Sequence, residues 1–438
     1  MTDVQDSKRV PRIIPRSEHR ISRANISDNA LKVLYRLKSA GYQAYLVGGG
    51  VRDLSLGREP KDFDVATDAR PEAIKKLFRN CRLIGRRFRL AHVHFGPEII
   101  EVATFRALHD PNGDAGGDRV IEDGMIVRDN VYGTLEEDAL RRDFTINALY
   151  YNIADFTVVD YTGGMEDLEA GVVRLIGEPE VRYREDPVRM LRAVRFAVKL
   201  GLKIHPDTAA PISAMAELLQ HIPPARLYEE CLKLFMSGMA LDAFEALRRF
   251  NLFAQLFPGV ERVLLRDEHG ISTRFISAAL RNTDERIAEG KPVTPVFLFA
   301  ALLWPAVREA MQAYLEQDEL PEQQALQAAS QEVLQEQVQR VAIPKRISIP
   351  MREIWNLQLR LARRGGRRAG RLLGHPRFRA AYDFMLLRAE VGEVEQEVAD
   401  WWTAFQAGSD EERRRMTEQT APSRRRRRRR RRPPAASE

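Results

Sequence analysis

Apolar positions along this chain follow two periods, and the change from one to the other divides it. Leu31, Leu34 and Leu37 recur at helical spacing behind Ser27 and Asp28, which can cap a helix, and Gly41 is a stop signal. Tyr45 to Val47 reads as a strand that feeds Gly48-Gly49-Gly50. A second helix is predicted from Pro71, with Ile74, Leu77 and Phe78 on one side. Arg89–Phe95 and Ile99–Phe105 are two β-rich runs around Gly96-Pro97, the pattern of a hairpin. Residues 107–124, rich in Asp and Gly, are expected to form a loop. Beyond Ala209 the strand signals stop, and amphipathic patterns continue to about residue 406. The expected fold is α+β: a head of mixed β-sheet and helices, an all-helical C-terminal part and a disordered arginine-rich tail. Expected boundaries are a loose basic arm over 1–25, a head over 26–170, a neck over 171–250, a body over 251–408 and a tail over 409–438. Within the body, the Gln- and Glu-rich stretch 314–340 reads as a solvated helix or connector.

Composition adds limits. A chain of 438 residues with 44% hydrophobic positions suits two or more domains with sizeable cores. Its two cysteines, Cys81 and Cys231, form no metal or disulfide pattern, so a reducing cytoplasm is expected. The N-terminus shows no leader-like apolar stretch. The longest apolar run, Val296 to Trp304, is far short of the roughly 20 residues a bilayer requires, and is read as a core helix without a membrane span. Charge is uneven. The formal net charge is +7, yet nine arginines (Arg424–Arg432) and Glu438 give the last fifteen residues +8, so the rest is near −1. Nine consecutive arginines cannot pack, and they suit phosphate backbones, so the tail is expected to bind RNA.

The candidate chemistry begins at Leu46-Val47-Gly48-Gly49-Gly50-Val51-Arg52-Asp53, followed by Asp62-Phe63-Asp64. On a strand, side chains alternate, so Asp62 and Asp64 share a face roughly 6–7 Å apart. Such a pair suits Mg²⁺, which takes oxygen ligands from one or two carboxylates plus substrate phosphates. Gly48 and Gly49 let the backbone approach a phosphate, and Arg52 offers a guanidinium fork. Together they read as a metal-dependent site for a nucleoside triphosphate. Glu101, on its own strand, can return beside the two aspartates. A helix from Pro187, capped by Asp186, divides into two faces: Met190, Leu191, Val194 and Val198 form one, and Arg189, Arg192 and Arg195 the other.

Further on come Arg141-Arg142-Asp143-Phe144-Thr145-Ile146-Asn147-Ala148-Leu149, Asp160-Tyr161-Thr162-Gly163-Gly164 and Glu185-Asp186-Pro187-Val188-Arg189. With these blocks in this order over residues 30–250, the chain resembles the class II nucleotidyltransferases, which include bacterial poly(A) polymerases and tRNA CCA-adding enzymes. The resemblance implies nucleotidyl transfer from ATP with Mg²⁺ held by Asp62 and Asp64. Asp143 is the first choice for a third essential acid, with Glu101 as the geometric alternative and an ion pair to Arg141 or Arg142 as the structural one. Arg52 and Arg142 are expected at the triphosphate. By resemblance, Asp186 and Arg189 read the Watson–Crick edge of the base, while Arg192 and Arg195 support the triphosphate or the helix packing. Residues 79–93 and the stretch Phe378-Arg379-Ala380-Ala381-Tyr382-Asp383-Phe384 look like the bacterial poly(A) polymerase branch. That implies template-independent addition of AMP to RNA 3′ ends by a monomer working with RNA-decay proteins. The alternatives are CCA addition to tRNA, or RNA binding on a noncatalytic transferase fold. His92 and His94 alternate on a strand without a third ligand, His205 reads as a turn or cap residue, and Trp401-Trp402 read as core.

Overall fold

The computed structural model describes residues 10–85, 89–108, 119–122, 125–317, 319–364 and 367–419. The chain divides into two compact units. One comprises residues 1–234 and 242–256, the other 235–241 and 257–438.

The first unit is built on an eight-stranded mixed sheet. Its elements begin with β1 (Arg12–Ile14), α1 (Asp28–Ser39), β2 (Ala44–Val47), α2 (Gly49–Ser55), β3 (Asp64–Thr67), α3 (Pro71–Leu77), β4 (Cys81–Ile84), β5 (Leu90–Phe95) and β6 (Glu98–Thr104). After a separate hairpin, β7 (Arg119–Glu122) and β8 (Met125–Asp129), come α4 (Leu135–Leu140), β9 (Leu149–Asn152), β10 (Val158–Asp160) and α5 (Gly164–Glu169). The sheet runs β1-β10-β9-β2-β3-β6-β5-β4, and only β3 and β6 are parallel neighbours. Strand alternation and the apolar pattern place Val47, Ala66, Phe105, Tyr150 and Val159 in one buried cluster beside the site. Of the spaced leucines, α1 buries Leu34 and Leu37 while Leu31 is half-buried and Val33 joins the core; Ser27 Oγ accepts from the Ala30 N–H to cap the helix.

Three expectations are corrected here. Residues 10–25 are not a loose arm throughout: β1 pairs with β10, and Ile14 and Ile21 are buried. A three-residue strand holding on to a distant edge has too few positions to show a period. Part of the expected 107–124 loop is strand, since β7 covers Arg119–Glu122. The stretch 314–340 is also more than a connector, as shown below.

The unit continues through β11 (Val172–Val173), α6 (Pro179–Glu185), α7 (Val188–Leu200), β12 (Lys203–Ile204), α8 (Pro206–Ala209), α9 (Ile212–Met215) and α10 (Pro224–Phe235). In α7, Met190, Leu191 and Val194 are buried as the helical wheel requires, and Gly201, in the left-handed region at φ 70°, ends the helix. His205 is the cap residue of α8: its ring nitrogen accepts from the Asp207 N–H.

The remaining helices are α11 (Ala240–Arg249), α12 (Leu252–Leu256), α13 (Pro258–Leu265), α14 (Ile271–Ala288), α15 (Pro295–Gln317), α16 (Glu322–Val338), α17 (Lys345–Leu361), α18 (Arg367–Leu373), α19 (Phe378–Glu390), α20 (Gln396–Ala407) and α21 (Asp410–Gln419). The second unit is helical among its described residues. α15 is the one described helix long and apolar enough to cross a membrane by length and composition, and 56% of its most apolar stretch is buried. It buries Leu298 to Val307 without a break, as the core-helix reading expects. The Gln-rich α16 packs against α15 and α17 and buries Ala325, Leu326 and Ala329. Small residues let a polar helix approach closely, and that is why its weak apolar pattern hid the packing. Trp402 is fully buried, with its indole N–H on the Leu361 carbonyl; Trp401 stacks on Phe405 at 4.6 Å.

Candidate active site

Register decides which acids meet. Val47 faces Asp64 across β2 and β3, Asp64 pairs with Glu101 on β6, and Glu101 pairs with His92 on β5. The strand begins only at Asp64, so Asp62 stands two residues ahead of it rather than on it as expected; Asp62 is exposed, Phe63 turns into the core, and Asp64 is partly buried. Burial, together with the charges of Glu101 and Asp62, pushes the Asp64 carboxyl up to about 6, against the opposing pull of Arg142. The carboxylate is thus short of positive charge. His92 stands beside Glu101, with Nε2 3.1 Å from Oε1.

The glycine run is a helix start rather than a plain turn. Gly48 sits at φ 72° and only there is the backbone left-handed; Gly49 and Gly50 already belong to α2. A Cβ at Gly48 would stand 3.6 Å from Arg142 Nη1 and 3.7 Å from Asp64 Oδ2. The missing side chain therefore leaves room between an acid and a guanidinium. Tyr150 and Asp138 hold Arg142 in place: its Nε donates to the Tyr150 hydroxyl at 2.8 Å, and its Nη2 donates to Asp138 Oδ2 at 3.1 Å. Burial works against the charge on Arg142, but Tyr150 and Asp138 outweigh it, so its pKa is raised.

Asp143 has a different environment. Arg192 donates from Nε to Oδ2 at 2.7 Å and forms an ion pair with the same oxygen through Nη2. Oδ1 accepts from the Phe144 N–H at 2.8 Å and from the Asn147 amide at 3.2 Å. Burial alone would raise its pKa; Arg192, Asn147 and the Phe144 N–H reverse that and hold it near 2. Its ion partner is Arg192 on α7, 49 residues away, rather than Arg141 or Arg142.

Arg52 is 3% exposed and committed within the protein. It donates to Asp53 Oδ1 from Nε and Nη2, at 2.8 and 2.6 Å, and to Asn147 Oδ1 at 2.7 Å. Arg52, Arg192 and Arg195 surround the Phe196 ring at 5.1, 5.3 and 4.5 Å, and Arg195 Nε lies 3.4 Å from Glu230. The arginine face of α7 is therefore a paired layer, not a solvated stripe. Nη1 of Arg189 donates to Glu185 at 2.8 Å and to the Arg182 carbonyl at 2.6 Å, leaving its other nitrogens without a protein hydrogen bond among the described residues. Asp186 Oδ2 accepts from Arg226 on α10 at 2.7 Å, while Oδ1 accepts from the Val188 N–H at 3.3 Å.

A cleft of about 330 Å³ gathers Arg106, Asp138, Arg142, Asp143, Asp186, Arg189, Arg192 and Arg226. Thus Arg142, Asp143, Asp186, Arg189 and Arg192 share one cavity, and Asp64, outside its lining, lies with Arg142 beside Gly48. Among the described residues, no group of three His, Cys, Asp or Glu side chains is close enough to hold an ion. Two carboxylates completed by substrate phosphates still match the usual way Mg²⁺ is bound. Asp138, Tyr150, Asn147, Glu185 and Arg226 were not singled out from sequence. The i,i+4 spacings Asp138–Arg142 and Glu185–Arg189 were signals for two of them; the others had none.

Comparison with known proteins adds an independent line. Residues 44–174 match the poly A polymerase head domain, 201–264 the probable RNA and SrmB-binding site of polymerase A, and 318–434 the polymerase A arginine-rich C-terminus. Poly(A) polymerase I of Salmonella typhimurium is 56% identical over 91% of this chain and 86% of its own length. The CCA-adding enzyme of Bacillus subtilis is 38% identical over only 52% of this chain and 55% of its own. A solved structure of the Bacillus stearothermophilus CCA-adding enzyme in complex with CTP matches with a TM-score of 0.58 at 26% identity, covering 86% of this chain and 82% of that one. Because the polymerase match covers 91% of the chain, against about half for the CCA-adding enzyme, and the polymerase domain models extend into its C-terminal part, the chain belongs to the poly(A) polymerase family.

Proposed function

We propose that this polymerase transfers AMP from ATP to RNA 3′ ends, without a template, at the site formed by Gly48, Asp62, Asp64 and Arg142. The observation that carries the reading is the space over Gly48, bounded by Asp64 Oδ2 on one side and Arg142 Nη1 on the other. Asp62 and Asp64 are the residues that would hold Mg²⁺, with Glu101 the nearest further acid on the paired strand. When bound, the metal supplies charge stabilisation at the reacting phosphate and lowers the pKa of the attacking hydroxyl. Arg142, fixed by Tyr150 and Asp138, orients the triphosphate. Asp143 is essential in this reading because it braces Arg192 and the turn carrying Asn147, and Arg52 acts through that same turn. Asp186 and Arg189 read the adenine edge, Asp186 as acceptor and the free nitrogens of Arg189 as donors. Arg192 and Arg195 line the wall around Phe196. The arginine run Arg424–Arg432, which lies outside the described residues, adds affinity for RNA. The cytoplasm is the setting in keeping with Cys81 and Cys231, both buried and free.

Incubation with labelled ATP or CTP on generic RNA, and on tRNA lacking CCA, tests the reading. Long AMP tracts on generic RNA are expected. CTP incorporation confined to tRNA would replace this reading with CCA addition.

A further inference from the structure

Several arginines of the second unit are tied to carboxylates: Arg262 to Glu336, Arg308 and Arg388 to Glu393, Arg377 to Glu353. Others have no such partner or only an exposed one, and three of them gather at one cavity. Where α16, α17 and α18 meet, a cavity of about 360 Å³ is lined by Gln323, Leu359, Arg360, Arg363, Arg371 and Leu372. Arg360 and Arg371 are exposed, and their guanidiniums make no hydrogen bond or ion pair with any described residue. Arg363 has one carboxylate within reach, Glu322 at 3.5 Å, with both side chains more than half exposed. Such a pair contributes little. Three guanidiniums thus converge on a concave surface with no acid in its lining, an arrangement that focuses positive potential.

The lining also indicates what kind of ligand fits. Guanidinium forks match phosphate oxygens. No aromatic ring lines the cavity, so it has no platform for stacking a base, and its floor is Leu359 and Leu372. A free nucleotide would leave its base unread there, whereas a phosphodiester backbone asks for nothing else. We propose that this pocket of α16, α17 and α18 docks the backbone of single-stranded RNA, separately from the residues of the first unit and from the arginine run. The inference rests on the reading of this chain as an enzyme that acts on RNA.

The test uses the full chain and a fluorescent oligoadenylate in the absence of ATP, with binding measured by anisotropy over a range of salt concentrations. Each phosphate contact on single strands contributes roughly 0.7 to the log–log salt slope. The variant Arg360→Ala/Arg371→Ala is therefore expected to lower the slope by about 1.4 and to bind about ten-fold more weakly at low salt. Arg360→Lys/Arg371→Lys, which keeps the charges, is expected to retain most of the slope. The single alanine variants should each lose about 0.7, which keeps the test open if the double variant folds poorly. An unchanged slope and Kd in folded alanine variants would overturn the proposal. So would an unchanged RNA affinity accompanied by a loss of ATP binding, which would make this a nucleotide pocket. Failure of the wild type to add AMP would strike the proposed function and leave the binding result standing.

Discussion

Asp64 and Asp143 are both drawn from the motifs that define the site, and both lie away from bulk water, yet their surroundings oppose each other. Asp64 faces Glu101 and Asp62 and is pushed up to about 6; Asp143 faces Arg192, Asn147 and a backbone N–H and is held near 2. One carboxylate feels Arg142 beside Gly48 but makes no ion pair with it. The other already has its cation, supplied by α7. Two acids that look alike in sequence thus have opposite surroundings: in the proposed reading Asp64 would hold the metal ion, whereas Asp143 ties Arg192 of α7 to the turn carrying Asn147.

The largest predicted effect is on chemistry. Asp64→Ala or Asp62→Ala should lower AMP incorporation by about 10³-fold or more, since several kcal/mol of charge stabilisation depends on the metal. Circular dichroism should show the fold intact. Incorporation near the wild-type rate would remove the metal assignment.

Asp143→Asn should act on stability first. It strands the Arg192 guanidinium beside Arg195, at a cost of about 3–5 kcal/mol, read as a fall in Tm or in the denaturant midpoint. Adding Arg192→Met to Asp143→Asn should restore much of the lost stability, because no buried charge is then left unpaired. If Asp143→Asn were as stable as wild type, the ion pair would be incidental.

The pH dependence of the metal-free protein sharpens the contrast. The folded-state pKa of Asp64 lies above its unfolded value, so the folded protein binds that proton more tightly, and stability rises as pH falls from about 6 to about 4. Asp143 has the opposite sign: its contribution is present above about 4 and is lost as pH falls toward 2. Asp64→Asn should therefore stabilise the metal-free protein at pH 7–8, by on the order of 1–3 kcal/mol, and flatten its profile between pH 4 and 6. A destabilised Asp64→Asn protein would mean that the carboxylate already has a partner.

Smallest is the effect on base choice. Asp186→Ala should cost discrimination between ATP and other triphosphates by about 1–3 kcal/mol, seen in relative kcat/KM values. The Arg226 contact makes a second outcome informative: if Arg226→Ala alone relaxes discrimination, Asp186 depends on that arginine for its orientation.

Local features of this arrangement were legible in the sequence. The Asp-x-Asp alternation, the glycine run, the β5–β6 hairpin and the core face of α7 all follow from short-range periods. What stayed hidden was pairing over distance. Nothing in the residues around Asp143 points to Arg192, nor anything near Asp186 to Arg226, 40 residues on, because ion pairs between elements leave no period. Arg52 illustrates the same limit. A lone arginine in a glycine motif suggests a phosphate, yet Asp53, Asn147 and Phe196 enclose it. Glu101 was within reach of sequence reasoning only as a strand that could return; the parallel register that sets it against Asp64 is a property of the sheet.

Titration of Mg²⁺ into the ATP-bound protein by calorimetry, in wild type, Asp64→Asn and Asp143→Asn, tests the division of labour most directly. The expected result is that Asp64→Asn loses the metal-binding heat, while folded Asp143→Asn keeps an affinity within a few-fold of wild type. Retained binding in Asp64→Asn, or its loss in a folded Asp143→Asn protein, would contradict the account.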